Sequence, residues 1–193
     1  MSLYKFAKFV VGILLRVLYR VKVVGIENIP KQGPVIICSN HISNFDPPLV
    51  GVTASRDIFF MAKEELFSKK WLRALLIKLH AFPIKRGMKD RNALRQALGI
   101  LKEGNTLGLF PEGTRSKSGQ LGEGLAGAGF FAVRSEAYIV PCAIIGPYKL
   151  FQPLKIVYGK PMDMQAYREN KASAKEVTDA IMNEIKILIE KQQ

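Results

Sequence analysis

Short apolar runs with almost no polar interruption constrain this chain more than any other feature. PVIICSN (34–40), IFFMA (58–62), TLGLF (106–110) and YIVPCAII (138–145) are too short for buried helices. A run without polar alternation has both faces covered, the situation of a strand inside a sheet packed by helices on each side. VKVVG (21–25), AFPIKRG (81–87) and LKIVYG (154–159) add shorter strands. Between them the pattern turns helical. Asp46-Pro47-Pro48 offers an N-cap and prolines for a helix to residue 54. Residues 64–80 carry Leu66, Phe67, Trp71, Leu72, Leu75, Leu76 and Leu79 on one inward face, with Lys69, Lys70 and Arg73 outside. A helix over 90–103 closes at Gly104, another covers 130–136, and Ser173 with Glu176 caps a last one to residue 191. This alternation predicts a single α/β domain with a mixed, largely parallel sheet flanked by helices, its active groups in loops at strand ends.

The first twenty residues stand apart. Lys5, Lys8, Arg16 and Arg20 interrupt the segment before it reaches the ~20 apolar residues of a spanning helix. On a helical wheel those four bases share one sector, while Leu3, Phe6, Val10, Ile13, Leu14 and Val17 lie opposite. The segment reads as an amphipathic membrane helix lying in the interface, residues 1–20, ahead of a catalytic domain over 21–193. A helix packed on the domain's own core would show the same pattern. The formal charge of +13, from 29 Lys and Arg against 16 Asp and Glu, attracts polyanions. Anionic membrane is the expected partner and nucleic acid is not, because no base-stacking aromatics interleave with the basic residues.

His41 and Asp46 frame the loop NHISNFD, directly after a buried strand and before a helix. A neutral imidazole accepts a hydroxyl proton when a carboxylate fixes its tautomer and stabilises the imidazolium. Asp46 acting only as a helix cap, with His41 bonded within its loop, would use the same residues. Ser39 and Ser43 flank His41 without a G-x-S-x-G elbow, so the nucleophile falls to a substrate hydroxyl, with backbone N–H groups of the loop or following helix expected to hold the oxyanion.

FPEGTRS (110–116) sits where a buried strand ends. Gly113 permits a tight turn, Arg115 can grip a phosphate with two hydrogen bonds, and Glu112 can orient a substrate hydroxyl or that arginine. An internal Glu112–Arg115 ion pair is the alternative. IKRG (84–87) places Arg86 at another strand end, and two such arginines make a phosphate clamp. With only His41 and His80 and no paired cysteines, no metal site is expected. His80 reads as a packed or capping histidine. Cys38 and Cys142 lie within apolar runs as core residues, in keeping with a reducing cytoplasmic setting.

In order, NHISNFD, IKRG, FPEGTRS and IVPCAI resemble the four signature motifs of the 1-acyl-sn-glycerol-3-phosphate acyltransferase family, within the glycerolipid acyltransferases. The resemblance implies that His41 is the general base for the sn-2 hydroxyl of lysophosphatidic acid and Asp46 its orienting partner. It implies an acceptor site at Arg86, Glu112, Gly113, Thr114 and Arg115, with Pro141 shaping the acyl-donor side. It further implies acyl-CoA or acyl-acyl carrier protein as co-substrate, no other cofactor, and phosphatidic acid as product at the cytoplasmic face of the membrane. Between the third and fourth motifs, family members often carry a basic residue just before a glycine, where this chain has Gly124-Leu125-Ala126-Gly127. Another acceptor, glycerol 3-phosphate or a lysophospholipid, and a non-catalytic basic membrane-binding module are the rival readings.

Overall fold

Val35–Ser39 is buried at every position, and the structure satisfies it by placing it inside a sheet covered on both sides. The computed structural model describes residues 2–85 and 90–192. Its strands are β1 (Val21–Val24), β2 (Val35–Ser39), β3 (Ile58–Lys63), β4 (Ala81–Ile84), β5 (Thr106–Leu109), β6 (Tyr138–Ile145) and β7 (Leu154–Tyr158). They form one seven-stranded sheet in the order β1-β7-β6-β2-β5-β3-β4. Every pairing is parallel except β6 with β7, so the sheet is mixed and largely parallel, as the alternation of runs predicts.

Side-chain alternation divides each central strand between two cores. Ile36 and Cys38 face a layer made by α4 (Arg91–Lys102), α5 (Gly127–Arg134) and α7 (Ala174–Glu190). Val35 and Ile37 face the opposite layer, where α1 (Leu3–Tyr19) lies over α2 (Asp46–Thr53). In the first layer, helices α5 and α7 approach so closely that a Cβ on Gly129 would stand 1.9 Å from the Ala174 carbonyl oxygen, and the Gly129 N–H donates to Thr178 Oγ1 at 2.9 Å. Two short helices, α3 (Lys70–Lys78) and α6 (Gln165–Glu169), complete the element order.

Three expectations need correction. The helix over 64–80 is broken: a 3₁₀ turn at Glu64–Phe67 precedes α3, and His80 beyond it adopts a left-handed φ of 60°. Helix α3 buries none of its side chains, and Trp71 is 67% exposed. Periodicity marks the residues that share a face, but beside the edge strand β4 no element among the described residues buries that face. The helix at 130–136 begins earlier, at Gly127. Asp46 is the first residue of α2 rather than its cap; Phe45 holds the cap position without a side-chain bond. The cap at Ser173 and the left-handed Gly104 stand where the sequence places them, while Asp90 caps α4 instead of opening it.

Helix α1 packs one side on the body of the domain. Tyr4, Leu15 and Tyr19 are buried against the body, and Tyr4 OH accepts from the Ile58 N–H at 3.0 Å. Lys8 turns inward, donating to the carbonyls of Ala54 at 2.9 Å and Arg56 at 3.1 Å. The stripe of Leu3, Phe6, Phe9, Val10, Ile13, Leu14 and Val17 is nonetheless exposed along its whole length. Among the described residues no helix is long and apolar enough to cross a membrane.

Candidate active site

Parallel register brings two strand ends to one level. Cys38 of β2 lies opposite Leu109 of β5, so the loops that follow these strands emerge side by side, while β6, level with them at Pro141, runs on to Ile145. The chain leaves β2 at Asn40, whose side chain acts as an extra rung of the sheet. Its Nδ2 donates to the Ile144 carbonyl at 2.9 Å and its Oδ1 accepts from the Ile144 N–H at 2.7 Å. The next residue, His41, is therefore anchored to two strands.

His41 Nδ1 lies 2.7 Å from Asp46 Oδ2. That oxygen also accepts from the N–H groups of Ile42 at 2.6 Å and Ser43 at 2.7 Å, while Oδ1 accepts from Tyr148 OH at 2.7 Å. Asp46 is fully buried, and a buried carboxylate is tolerable only with such a complement of donors. It binds back into its own loop and not forward into α2, which sets aside the helix-cap alternative. His41 Nδ1–H faces this acceptor, an arrangement that leaves the lone pair on Nε2; no hydrogen bond to Nε2 is found among the described residues. The ring stacks on Phe110, centroids 4.2 Å apart at 24°.

Glu112 is buried, and both its oxygens bind backbone amides: Oε1 accepts from the His41 N–H at 2.7 Å, Oε2 from the Gly122 N–H at 3.0 Å. The Ser116 N–H returns a bond to the His41 carbonyl at 2.8 Å. The two motifs are thus one bonded unit. Glu112 makes no ion pair with Arg115, and among the described residues Arg115 has no carboxylate partner. Gly113 is needed here: its φ is 68°, and a Cβ would meet Leu125 Cδ1 at 2.5 Å.

Two adjoining cavities open beside this unit, sharing Ser116 and Ser118. One, of about 500 Å³, is lined by Asn40, Ser43, Lys117, Ile144 and Tyr148; the other, of about 360 Å³, by Glu112, Thr114, Arg115, Gln120 and Gly122. Arg86 lies outside the described residues. Pro141 is buried within β6, its carbonyl accepting from the Gly159 N–H at 2.8 Å, and lines neither cavity. Among the described residues no cluster of three His, Cys, Asp or Glu side chains is placed to hold a metal. Burial pushes the Cys142 thiol up to about 12 and Cys38 higher still, which removes both as nucleophiles.

Few N–H groups of the loop are left free for an oxyanion. The N–H groups of His41, Ile42 and Ser43 are already engaged, and the first turn of α2 contains Pro47 and Pro48, which have none to give. Neither Tyr148 nor Asn40 is marked as a site residue by the sequence. Gly146-Pro147 signals a turn after β6, but nothing local says that the next residue folds back onto Asp46.

Residues 20–145 match the family model described as Acyltransferase. A 1-acyl-sn-glycerol-3-phosphate acyltransferase of Bacillus subtilis is 32% identical over 96% of this chain and 96% of its own length. One from Borreliella burgdorferi is 30% identical over 68% of this chain, which spans about half of that relative (54%). The crystal structure of the 1-acyl-sn-glycerophosphate (LPA) acyltransferase PlsC from Thermotoga maritima superposes with a TM-score of 0.76 at 29% identity, covering 98% of this chain and 77% of that one.

Proposed function

The chain belongs to the acyltransferase family, and we propose that it transfers a fatty acyl group to the sn-2 hydroxyl of 1-acyl-glycerol 3-phosphate, giving phosphatidic acid. The observation that carries the mechanism is the 2.7 Å contact between His41 Nδ1 and a fully buried Asp46 carboxylate. His41 Nε2 takes the hydroxyl proton as the oxygen attacks the thioester carbonyl. Asp46 fixes the tautomer and balances the imidazolium. The tetrahedral intermediate then expels the thiolate, which recovers the proton from Nε2, and the C–S bond is exchanged for a C–O bond without a covalent acyl-enzyme.

Arg115 and Thr114 hold the acceptor phosphate in the smaller cavity, with Arg86 as a second cation. The absence of a carboxylate partner for Arg115 among the described residues supports this assignment. Glu112 and Gly113 serve by shaping the turn, and Pro141 acts only through the sheet. The donor is acyl-CoA or acyl-acyl carrier protein, and no cofactor enters the steps. The exposed stripe of α1 supports a peripheral protein at the cytoplasmic face of an anionic membrane, Lys5, Arg16 and Arg20 meeting headgroups.

Transfer of radiolabelled acyl groups from each donor onto 1-acyl-glycerol 3-phosphate tests the reading, with wild type and His41→Ala compared in the same membranes. Label in phosphatidic acid only with His41 intact is the expected result. Equal transfer by both proteins would remove His41 as the base, and label appearing only on glycerol 3-phosphate or a lysophospholipid would replace the acceptor.

A further inference from the structure

Asp46 takes hydrogen bonds from four donors, and three of them lie in its own loop. The fourth is Tyr148, 102 residues away, whose OH donates at 2.7 Å to Oδ1, the oxygen opposite the one that meets His41. We propose that Tyr148 is a positioning residue for acyl transfer: by holding Oδ1 it sets the plane of the Asp46 carboxylate and thereby the aim of the His41 ring. The inference rests on the reading of His41 as the base.

The last torsion of a carboxylate is soft, so how firmly its plane is held depends on the contacts of both oxygens. Three donors converge on Oδ2; the bond to Oδ1 holds the group from the other side, so it cannot turn without breaking one set or the other. The tyrosine is well suited to the task. Burial first, and the charge of Asp46 second, raise its hydroxyl far above the ordinary tyrosine range, so it stays a neutral donor throughout the working pH range.

Its ring is itself held. Tyr19 of α1 meets it edge-on, with centroids 5.4 Å apart at 79°, and Phe45 flanks it at 6.1 Å. The Phe151 N–H donates to the Leu18 carbonyl at 2.6 Å, tying the segment that carries Tyr148 to the end of the same helix. Gly146, at φ 111°, lets the chain turn out of β6, where a Cβ would stand 2.9 Å from the Pro153 carbonyl oxygen.

The test uses the full-length protein on phosphatidylglycerol-containing vesicles with acyl-CoA and 1-acyl-glycerol 3-phosphate. Tyr148→Phe removes one oxygen and keeps the ring. It should lower kcat about 10- to 100-fold, the scale of one hydrogen bond to a charged group, while KM for both substrates stays within about twofold. The His41 Nδ1–H resonance should shift in proton–nitrogen spectra. In an Asp46→Asn background the same change should cost less than about twofold, because the two residues act as a unit. That non-additivity also separates positioning from a general loss of folding, which would lower both backgrounds alike and overturn the proposal. Unchanged kcat in Tyr148→Phe alongside an inactive His41→Ala overturns the positioning role alone. Activity surviving in His41→Ala overturns the reading beneath it.

Discussion

Glu112 accepts a 2.7 Å hydrogen bond from the backbone N–H of His41, joining two motifs that lie 71 positions apart. The carboxylate thus serves the fold of the site before it can serve a substrate. Replacing it by alanine strands the buried amide of His41, a loss that costs about 1–3 kcal/mol, and leaves the exposed Gly122 amide to solvent. Glu112→Ala should therefore lower both the melting temperature and kcat. A variant that melts like wild type while losing only acceptor affinity would return Glu112 to direct substrate contact.

Asp46→Asn keeps the shape but places an amide where four donors converge. Its single carbonyl oxygen cannot satisfy both sides, and it no longer balances an imidazolium. We expect kcat to fall on the order of 10²- to 10⁴-fold, the usual reach of acid–base catalysis. Steady-state kinetics with saturating donor and acceptor would check it.

Phe9 and Val17 are 63% and 61% exposed on α1, so charges there cost the fold little. Phe9→Glu with Val17→Glu should reduce vesicle partitioning more than about tenfold, since each buried apolar side chain contributes about 1.5–3 kcal/mol. Liposome flotation alongside a melting curve separates lost binding from lost folding.

Gly129→Ala forces a Cβ against the Ala174 carbonyl, backbone against backbone, where neither side can swing away. Separating α5 from α7 should destabilise the protein by about 1–3 kcal/mol. Urea unfolding would report it as a lower midpoint with an unchanged slope.

His80 is stacked between Tyr4 at 4.3 Å and Phe59 at 4.5 Å, with Nδ1 buried and without a partner among the described residues. Burial lowers its pKa from 6.5, and the nearby charge of Asp57 opposes only part of the shift. A base depressed in the folded state leaves stability intact above its unfolded pKa. That contribution is lost as pH falls below about 6.5 toward the folded value. Stability measured from pH 8 to pH 5 should fall in wild type, and His80→Phe should flatten that limb.

Local chemistry made much of this legible. The uninterrupted run at Val35–Ser39 announced a buried central strand, and the spacing of His41 and Asp46 announced their meeting. The segment from Glu64 to His80 was less legible, because periodicity tells which residues share a face and not whether anything covers it. Asp46 looked like a helix cap because Pro47 and Pro48 advertise a helix start; the amides it binds lie behind it. Asn40 and Tyr148 were hidden for a different reason. Their partners, Ile144 and Asp46, lie 104 and 102 positions away, beyond any local pattern.

Those long spans give the site a place in time as well as in space. His41 and Asp46 leave the ribosome early, yet Glu112, Ile144 and Tyr148, which hold them, arrive much later. A nascent chain that ends before Tyr148 carries His41 and Asp46 without all the groups that hold them. Their geometry is consequently completed only after Tyr148 has been made, and a chain terminated short of it lacks the bond to Asp46 Oδ1.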